Sequence, residues 1–326
     1  MSDSTPTRLN PFELASKDLN FKTKFIHYGK KNYLKKKFLE KVAEKLYFSL
    51  DLNKFNYRIR NISDQNFDFI FIEKGFYVWP STIIKLKKKY PLAKFIYYTH
   101  DNYKYRHNRN IFTQWAIKKN LYDLIVLYDV KTRKNFIEKL CSTKVIYRNP
   151  SFCKTLHKEI NTKKIYDVCF IGTFEKNRYE YIKYLSMNGI KVSVFGTGWK
   201  KIPSSQNLKI TNKDLLNRNY VLELSKYKIC LCFLRHLNND TQTSRTYEIP
   251  ASGNFGLYEN SIDHQKLFSH FDKKIIFKNK KDLLNSVQFY LNNHKERIYY
   301  QKKISKYIKK NNSYEDTLLK ILRNFN

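Results

Sequence analysis

Short apolar runs alternate with longer amphipathic stretches along most of this chain, and the alternation begins twice. Period-2 and fully apolar runs of five or six residues predict strands, and apolar positions three or four apart predict helices. Lys24–Tyr28 reads as a short strand ending at Gly29. Lys30 to Leu50 then reads as a helix with Leu34, Phe38, Val42 and Leu46 on one face. Phe67–Ile72 is a strand, and Pro80 opens a helix to Tyr90, because proline fits a first turn. Lys94–Thr99 is a strand that ends at His100-Asp101-Asn102. Asn110–Lys119 is a helix, Leu124–Tyr128 a strand, Asp129 a cap for a helix to Leu140, and Lys144–Tyr147 a last strand before Asn149-Pro150.

Residues 151–164 are polar and Lys-rich and read as a linker. The pattern then restarts. Tyr166–Ile171 is a buried strand ending in Gly172-Thr173, and Arg178–Asn188 is a helix closed by Gly189. Lys191–Phe195 is a strand followed by Gly196-Thr197-Gly198-Trp199. Asn217–Lys226 is helical, Ile229–Leu234 is a strand, a helix opens at Thr243, and Lys274–Phe277 is a short strand before a long helical tail. Strands alternating with helices imply parallel sheets covered on both faces. The expectation is therefore α/β: a loosely ordered tail over 1–20, one Rossmann-like domain over 21–150, a second over 165–326, and a cleft between them. In open sheets of this kind ligands bind beyond the carboxyl ends of the strands, where His100, Gly172, Gly196 and Thr243 fall.

Composition narrows the class. The chain has 326 residues, 42% of them hydrophobic and 16% aromatic, enough for two cores and too apolar for disorder. No apolar run approaches the ~20 residues that cross a bilayer, and residues 1–20 lack the apolar segment of a secretory signal. Five cysteines, three of them inside strand-like runs, read as free thiols in a reducing cytoplasm. The net charge of +35, from 63 Lys and Arg against 28 Asp and Glu, implies a polyanionic neighbour: a membrane surface, an anionic glycolipid or a nucleic acid. Codon bias accounts for many of the lysines but not for the shortage of acids.

The segment Thr243–Gly253, TSRTYEIPASG, carries the sharpest chemistry. A buried strand, a polar loop and a helix opening on Thr-Ser-Arg make an anion site, because the first N–H groups of a helix lack partners and sit at the positive end of its dipole. Arg245 adds a forked cation suited to phosphate, and Glu248, one turn on, offers a carboxylate to a ribose diol. Ser244 and Thr246 belong to the same tip.

Four segments then give a family resemblance. They are YDVCFIGTFEKNR, VSVFGTGW, TSRTYEIPASG and the C-terminal HKERIYYQKKISKYIKKNNSYEDTLLKIL, in that order. Together they resemble the CgeB-like glycosyltransferases of GT-B fold, well over residues 165–322 and more loosely over 67–150. The resemblance implies two Rossmann-like domains, a nucleotide-diphosphate-sugar donor held mainly by the second and an acceptor by the first. It implies that Glu248 binds the ribose hydroxyls and that Asp240, separated from it by seven intervening residues, faces the donor sugar, as in retaining enzymes. Asp240 departs from the usual Glu, and Phe271-Asp-Lys-Lys274 lacks the Gly-Lys-Glu pattern of the family.

Glycosyl transfer needs the departing diphosphate stabilised. Arg245, Arg178 and the tip at Ser244 and Thr246 are the candidates, Arg178 having a second reading as a cation at a helix start. Gly172 and Thr173 let backbone approach phosphates, or else make a plain turn. Gly196, Gly198 and Trp199 either border the base or, for Trp199, belong to the core. His100 either contacts the donor sugar or is a structural partner of Asp101, and His236 is a weaker candidate. No Asp-x-Asp signature or metal-ligand spacing is present, so no metal is expected. Lys35–Lys37 with Lys30, Lys31 and Tyr33, and Lys87–Lys89, put cations in the acceptor-side domain. The expected acceptor is an envelope or lipid-linked glycan, met from the cytoplasm or at the inner membrane surface. The alternatives are modified bases of DNA as acceptor, or a nucleic-acid-binding protein on a transferase scaffold.

Overall fold

The computed structural model describes residues 9–28, 42–43, 45–51, 53–63, 66–101, 110–128 and 131–325. The chain divides into two compact units at Asn149–Pro150. Most of the helix expected over Lys30–Leu50, the lysine run at 35–37 with Lys30, Lys31 and Tyr33, and the cap at Asp129 lie outside the described residues.

The first unit runs α1 (Pro11–Asp18), α2 (Phe55–Arg60), β1 (Phe69–Glu73), α3 (Pro80–Lys89), β2 (Lys94–Thr99), α4 (Ile111–Lys118), β3 (Leu124–Tyr128), α5 (Lys131–Glu138) and β4 (Val145–Arg148). The four strands are parallel in the order β1-β2-β3-β4, with Phe69 opposite Lys94, Ile96 opposite Leu124 and Ile125 opposite Val145. Phe95–Tyr98 and Leu124–Leu127 are buried throughout, which is why they read as continuous apolar runs and not as alternation.

The expected tail is in part a helix. Asn10 caps α1, accepting from Phe12 N–H at 2.8 Å, and its own amide reaches Glu73 at 2.7 Å. Phe12 packs against the Phe71 and Tyr98 rings, and Ala15 is buried. The strand expected at Lys24–Tyr28 is extended backbone with one bridge at His27. In the run Lys87–Lys89, Lys87 is tied to Asp123 at 3.3 Å and Lys89 Nζ to the Ile62 carbonyl, so two of its three cations serve this unit's own packing.

The second unit holds β5 (Tyr166–Ile171), α6 (Lys176–Met187), β6 (Val192–Phe195), β7 (Leu208–Thr211), α7 (Arg218–Leu224), β8 (Tyr227–Cys232), α8 (Ser244–Ala251), β9 (Gly256–Glu259), α9 (Ile262–Leu267), β10 (Ile276–Phe277), α10 (Lys280–Asn292), α11 (His294–Lys309) and α12 (Tyr314–Leu322). Its parallel strands are ordered β10-β9-β8-β5-β6-β7. The chain winds outward from β5 through β6 to β7, then crosses back to β8 on the other side of β5. The strand order therefore reverses between β5 and β8, the place where open α/β sheets leave a crevice at their carboxyl edge. Helices linking parallel strands run back along them, so α6, α7 and α8 all start at that edge.

Residues 151–164 are not a free linker. Phe152 and Cys153 are buried, Phe152 bridges to Ser313, and the Ser151 and Thr317 hydroxyls meet at 2.7 Å. Four of the five free cysteines are buried, and Cys141 is half-buried. Among the described residues no helix is long and apolar enough to cross a membrane.

Candidate functional site

Helix α8 is set by its sequence. Thr243 is the N-cap, and its hydroxyl and that of Thr246 exchange bonds with each other's backbone in a capping box. Thr246 Oγ1 accepts from Thr243 N–H at 3.1 Å and meets His264 Nε2 at 2.8 Å, while His264 Nδ1 lies 2.6 Å from the Glu259 carbonyl. A carbonyl only accepts, so Nδ1 carries the proton and Thr246 donates to Nε2. Burial pushes His264 down to about 4, against the pull of the Glu259 carbonyl and charge, so the ring is neutral. Thr246 is itself fully buried. It was expected at a phosphate; its hydroxyl is spent in this chain, and it fixes the helix tip without facing a ligand.

Arg245 sits in the first turn, half-buried, its Nε donating to the Ile171 carbonyl at the end of β5. That bond lashes the tip of α8 across the β5/β8 reversal. Ser244 precedes it, half-buried at the first helical position.

Arg178 was expected to grip phosphate directly. It is buried in α6, with Nη2 donating to the Leu234 carbonyl at 2.8 Å, Nη1 to the Thr173 carbonyl at 2.8 Å, and Nη2 2.9 Å from Glu175. It ties the loop after β5 to the loop after β8. Burial brings its pKa down to about 10, opposed by Glu175 and reinforced by the charges of Arg245 and Arg235. Two further guanidiniums thus crowd a buried one at the carboxyl edge, a field that favours an anion.

The glycines after β5 and β6 fit together as backbone. Gly196 has φ +139°, and a Cβ there would lie 2.1 Å from the Gly172 carbonyl oxygen. Gly172 N–H donates to the Phe195 carbonyl at 2.8 Å. Thr173 and Gly198 are exposed beside them. Trp199 does not border a ligand: it is 0% exposed, and its Nε1–H donates to the Gly172 carbonyl at 2.8 Å. Of its two expected places it takes the core, and from there it holds the Gly172 turn.

Glu248 is 17% exposed, with His157 Nε2 3.7 Å from its Oε1. Asp240 is half-buried after a short turn, and the Asn238 amide donates to its Oδ1 at 2.6 Å. His100 belongs to the first unit. It is half-buried, edge-on to the Tyr98 and Tyr128 rings, with Nε2 4.0 Å from Glu73. The second unit therefore gathers Gly172, Thr173, Arg178, Gly196, Gly198, Ser244, Arg245 and Glu248 along one edge of one sheet.

Residues 178–323 match the family described as Glycosyl transferase-like. The match lies within the second unit and spans somewhat less than half of the chain. Solved structures of glycosyltransferases share the fold of the chain. TarM superposes with a TM-score of 0.60 at 14% identity, over 86% of this chain, which spans only 59% of TarM. An alpha-glucosyltransferase in complex with UDP and a 13-mer DNA containing a HMU base gives 0.56 at 14% identity, covering 87% of this chain and 83% of that one. T4 phage BGT in complex with its UDP-glucose substrate gives 0.50 at 19% identity, over 74% and 77%. No curated protein sequence matches the chain. The α/β architecture with parallel sheets is thus that of the GT-B glycosyltransferases.

Three residues of the second unit escaped the sequence reading. His157 lay in the presumed linker. Tyr220 opens α7 on what read as an ordinary helix start. Glu259 ends β9, a strand hidden by its brevity; its buried carboxylate accepts from Leu234 N–H at 2.8 Å and lies 2.7 Å from His236 Nε2. That bond, against the cost of burial, raises the pKa of His236 and makes it a partner of Glu259. The signal for Glu259 was the apolar run Phe255–Tyr258 before it.

Proposed function

We propose that the chain is a glycosyltransferase that moves a sugar from a nucleoside-diphosphate-sugar to an acceptor hydroxyl, with the donor held by the second unit. One observation carries this: the first turn of α8 and the Arg245 guanidinium meet the end of β5 where the strand order reverses, with Glu248 one turn further on. In this reading the diphosphate lies against the α8 tip, with Arg245 taking the charge that grows as the bond from the sugar's anomeric carbon to phosphate oxygen breaks. Gly172, Thr173, Gly196 and Gly198 let the backbone come close, and Glu248 accepts from the ribose diol. Asp240 is assigned to the donor sugar. The acceptor oxygen bonds to the anomeric carbon and gives up its proton, with retention of configuration the outcome the Asp240–Glu248 spacing suggests. The positive charge required is supplied by side chains and helix tip, with no metal assigned. The order of motifs supports a place in the CgeB-like group.

The acceptor we favour is polyanionic. The net charge of +35 supports this, as does a cavity of about 560 Å³ beside α11 lined by Lys302, Lys306, Lys309 and Lys310. Duplex DNA with modified bases is the specific alternative to an envelope glycan, favoured by the DNA-bound alpha-glucosyltransferase among the structures of like fold. The test is thermal stabilisation by UDP, GDP, CDP and dTDP and their glucose conjugates, with and without duplex DNA. At least one nucleotide should raise the melting temperature of the wild type, less so for Arg245→Ala and not for Glu248→Ala. No shift with any nucleotide would refute the proposal.

A further inference from the structure

Two buried groups stand behind Glu248, and neither belongs to the motif that contains it. His157 is 7% exposed, and its Nδ1 accepts from Cys153 N–H at 2.9 Å. A neutral imidazole that accepts at one nitrogen carries its proton on the other, so Nε2–H is the atom 3.7 Å from Glu248 Oε1. Burial lowers the pKa of this ring more than the Glu248 charge raises it, so it remains a single-proton donor. Tyr220 is also 7% exposed, its ring edge-on to His157 at 6.2 Å between centroids. Its hydroxyl is buried and has no hydrogen-bond partner among the described residues. Glu248 acts on that hydroxyl electrostatically, second only to burial in raising its pKa, and Arg245 acts on it in the opposite sense. A buried hydroxyl left without a partner is a standing cost, and it sits within electrostatic reach of the carboxylate assigned to the ribose.

We propose that His157 and Tyr220 are positioning residues for the donor nucleotide, two buried donors that turn and hold the Glu248 carboxylate toward the ribose diol. This rests on the role given to Glu248 above. The carboxylate stands 3.7 Å from His157 Nε2, just beyond hydrogen-bond length. When a diol engages its outer oxygen, a small rotation brings the inner oxygen onto His157 Nε2–H and gives the Tyr220 hydroxyl its acceptor. Affinity for the nucleoside then depends on groups that never touch it, contributed by the 153–157 turn and by α7.

Isothermal titration of UDP, GDP, CDP and dTDP into the full-length protein tests this, alongside melting without nucleotide. Glu248→Ala should lose measurable binding. Tyr220→Phe and His157→Ala should each weaken it by about tenfold, the worth of one hydrogen bond to a charged acceptor. His157→Gln, which keeps a donor at the same reach, should recover most of the loss. Tyr220→Phe should melt at or above the wild-type temperature, because it deletes only an unsatisfied atom, and this separates positioning from structure. Wild-type affinity in both Tyr220→Phe and His157→Ala, with Glu248→Ala dead, overturns this inference and leaves the proposed function standing. A Tyr220→Phe that loses melting temperature along with affinity also overturns it, since the hydroxyl would then be structural. Wild-type affinity in Glu248→Ala, or no binding of any nucleotide by the wild type, refutes the proposed function and this inference with it.

Discussion

Replacing Thr246 by Val removes one buried hydroxyl and almost no volume, which isolates the chain of bonds that sets the α8 tip. The hydroxyl accepts from Thr243 N–H at 3.1 Å and donates to His264 Nε2 at 2.8 Å. Each bond contributes roughly 1 kcal/mol net, and valine leaves both former partners buried with nothing to bind, which raises the cost to about 2–4 kcal/mol in all. Thr246→Ser keeps the hydroxyl and loses a methyl, for about 1 kcal/mol. Urea unfolding followed by the fluorescence of Trp199, buried in the same unit, measures both. The order wild type, Ser, Val is expected, and the valine variant should also bind nucleotide more weakly because the tip loosens. A valine variant within about 0.5 kcal/mol of wild type, or a serine variant as unstable as the valine one, would refute the network as drawn.

Other outcomes follow from the same geometry. His264 is held near 4, below its ordinary value of about 6.5, so between those values the unfolded chain binds more protons and stability falls as pH drops. The contribution lost is about 3 kcal/mol by pH 4 and is fully present above pH 7; urea midpoints at pH 7, 5.5 and 4.5 should show it, with a shallower slope in His264→Phe. Gly196→Ala must place a Cβ 2.1 Å from the Gly172 carbonyl at φ +139°, so it should cost more than about 2 kcal/mol and weaken nucleotide binding, both read by thermal shift. Asn10→Ala removes the α1 cap and should lower the stability of the first unit by about 1 kcal/mol, seen as faster amide exchange over Phe12–Leu14; unchanged exchange would mean the cap is idle.

Much of the fold was legible because its signals are local. Tyr166–Ile171 is a strand over the whole expected span, because a strand buried on both faces is a contiguous apolar run bounded by polar residues. Thr243 as cap and α8 behind it were legible because capping uses neighbours in sequence. Phe69–Glu73, Lys94–Thr99 and Leu124–Tyr128 lie close to expectation for the same reason as Tyr166–Ile171. The misses are where local signal is short or misleading. Leu208–Thr211 and Gly256–Glu259 are four residues each, too brief to show a period, and gain their strand character from the neighbours they pair with. Pro11–Asp18 begins in what read as a polar tail, since the partners that bury Phe12 lie some sixty residues or more away.

By itself the sequence determined the class of most segments and the candidate chemistry at one helix tip, since propensity, capping and hydrophobic period act over a few residues. Which side chains of that chemistry are spent on the chain's own packing was decided by tertiary structure. Arg245 and Arg178 look alike in sequence, but one is half-buried at the α8 tip and the other is spent on the carbonyls of Thr173 and Leu234. Trp199 and Thr246 carry polar groups that suit a ligand, and both are turned inward. His157 comes within 3.7 Å of Glu248 from a segment about 90 residues earlier in the chain, and Tyr220 packs edge-on against its ring. Burial and pairing are properties of distant neighbours, and only the folded chain chooses those.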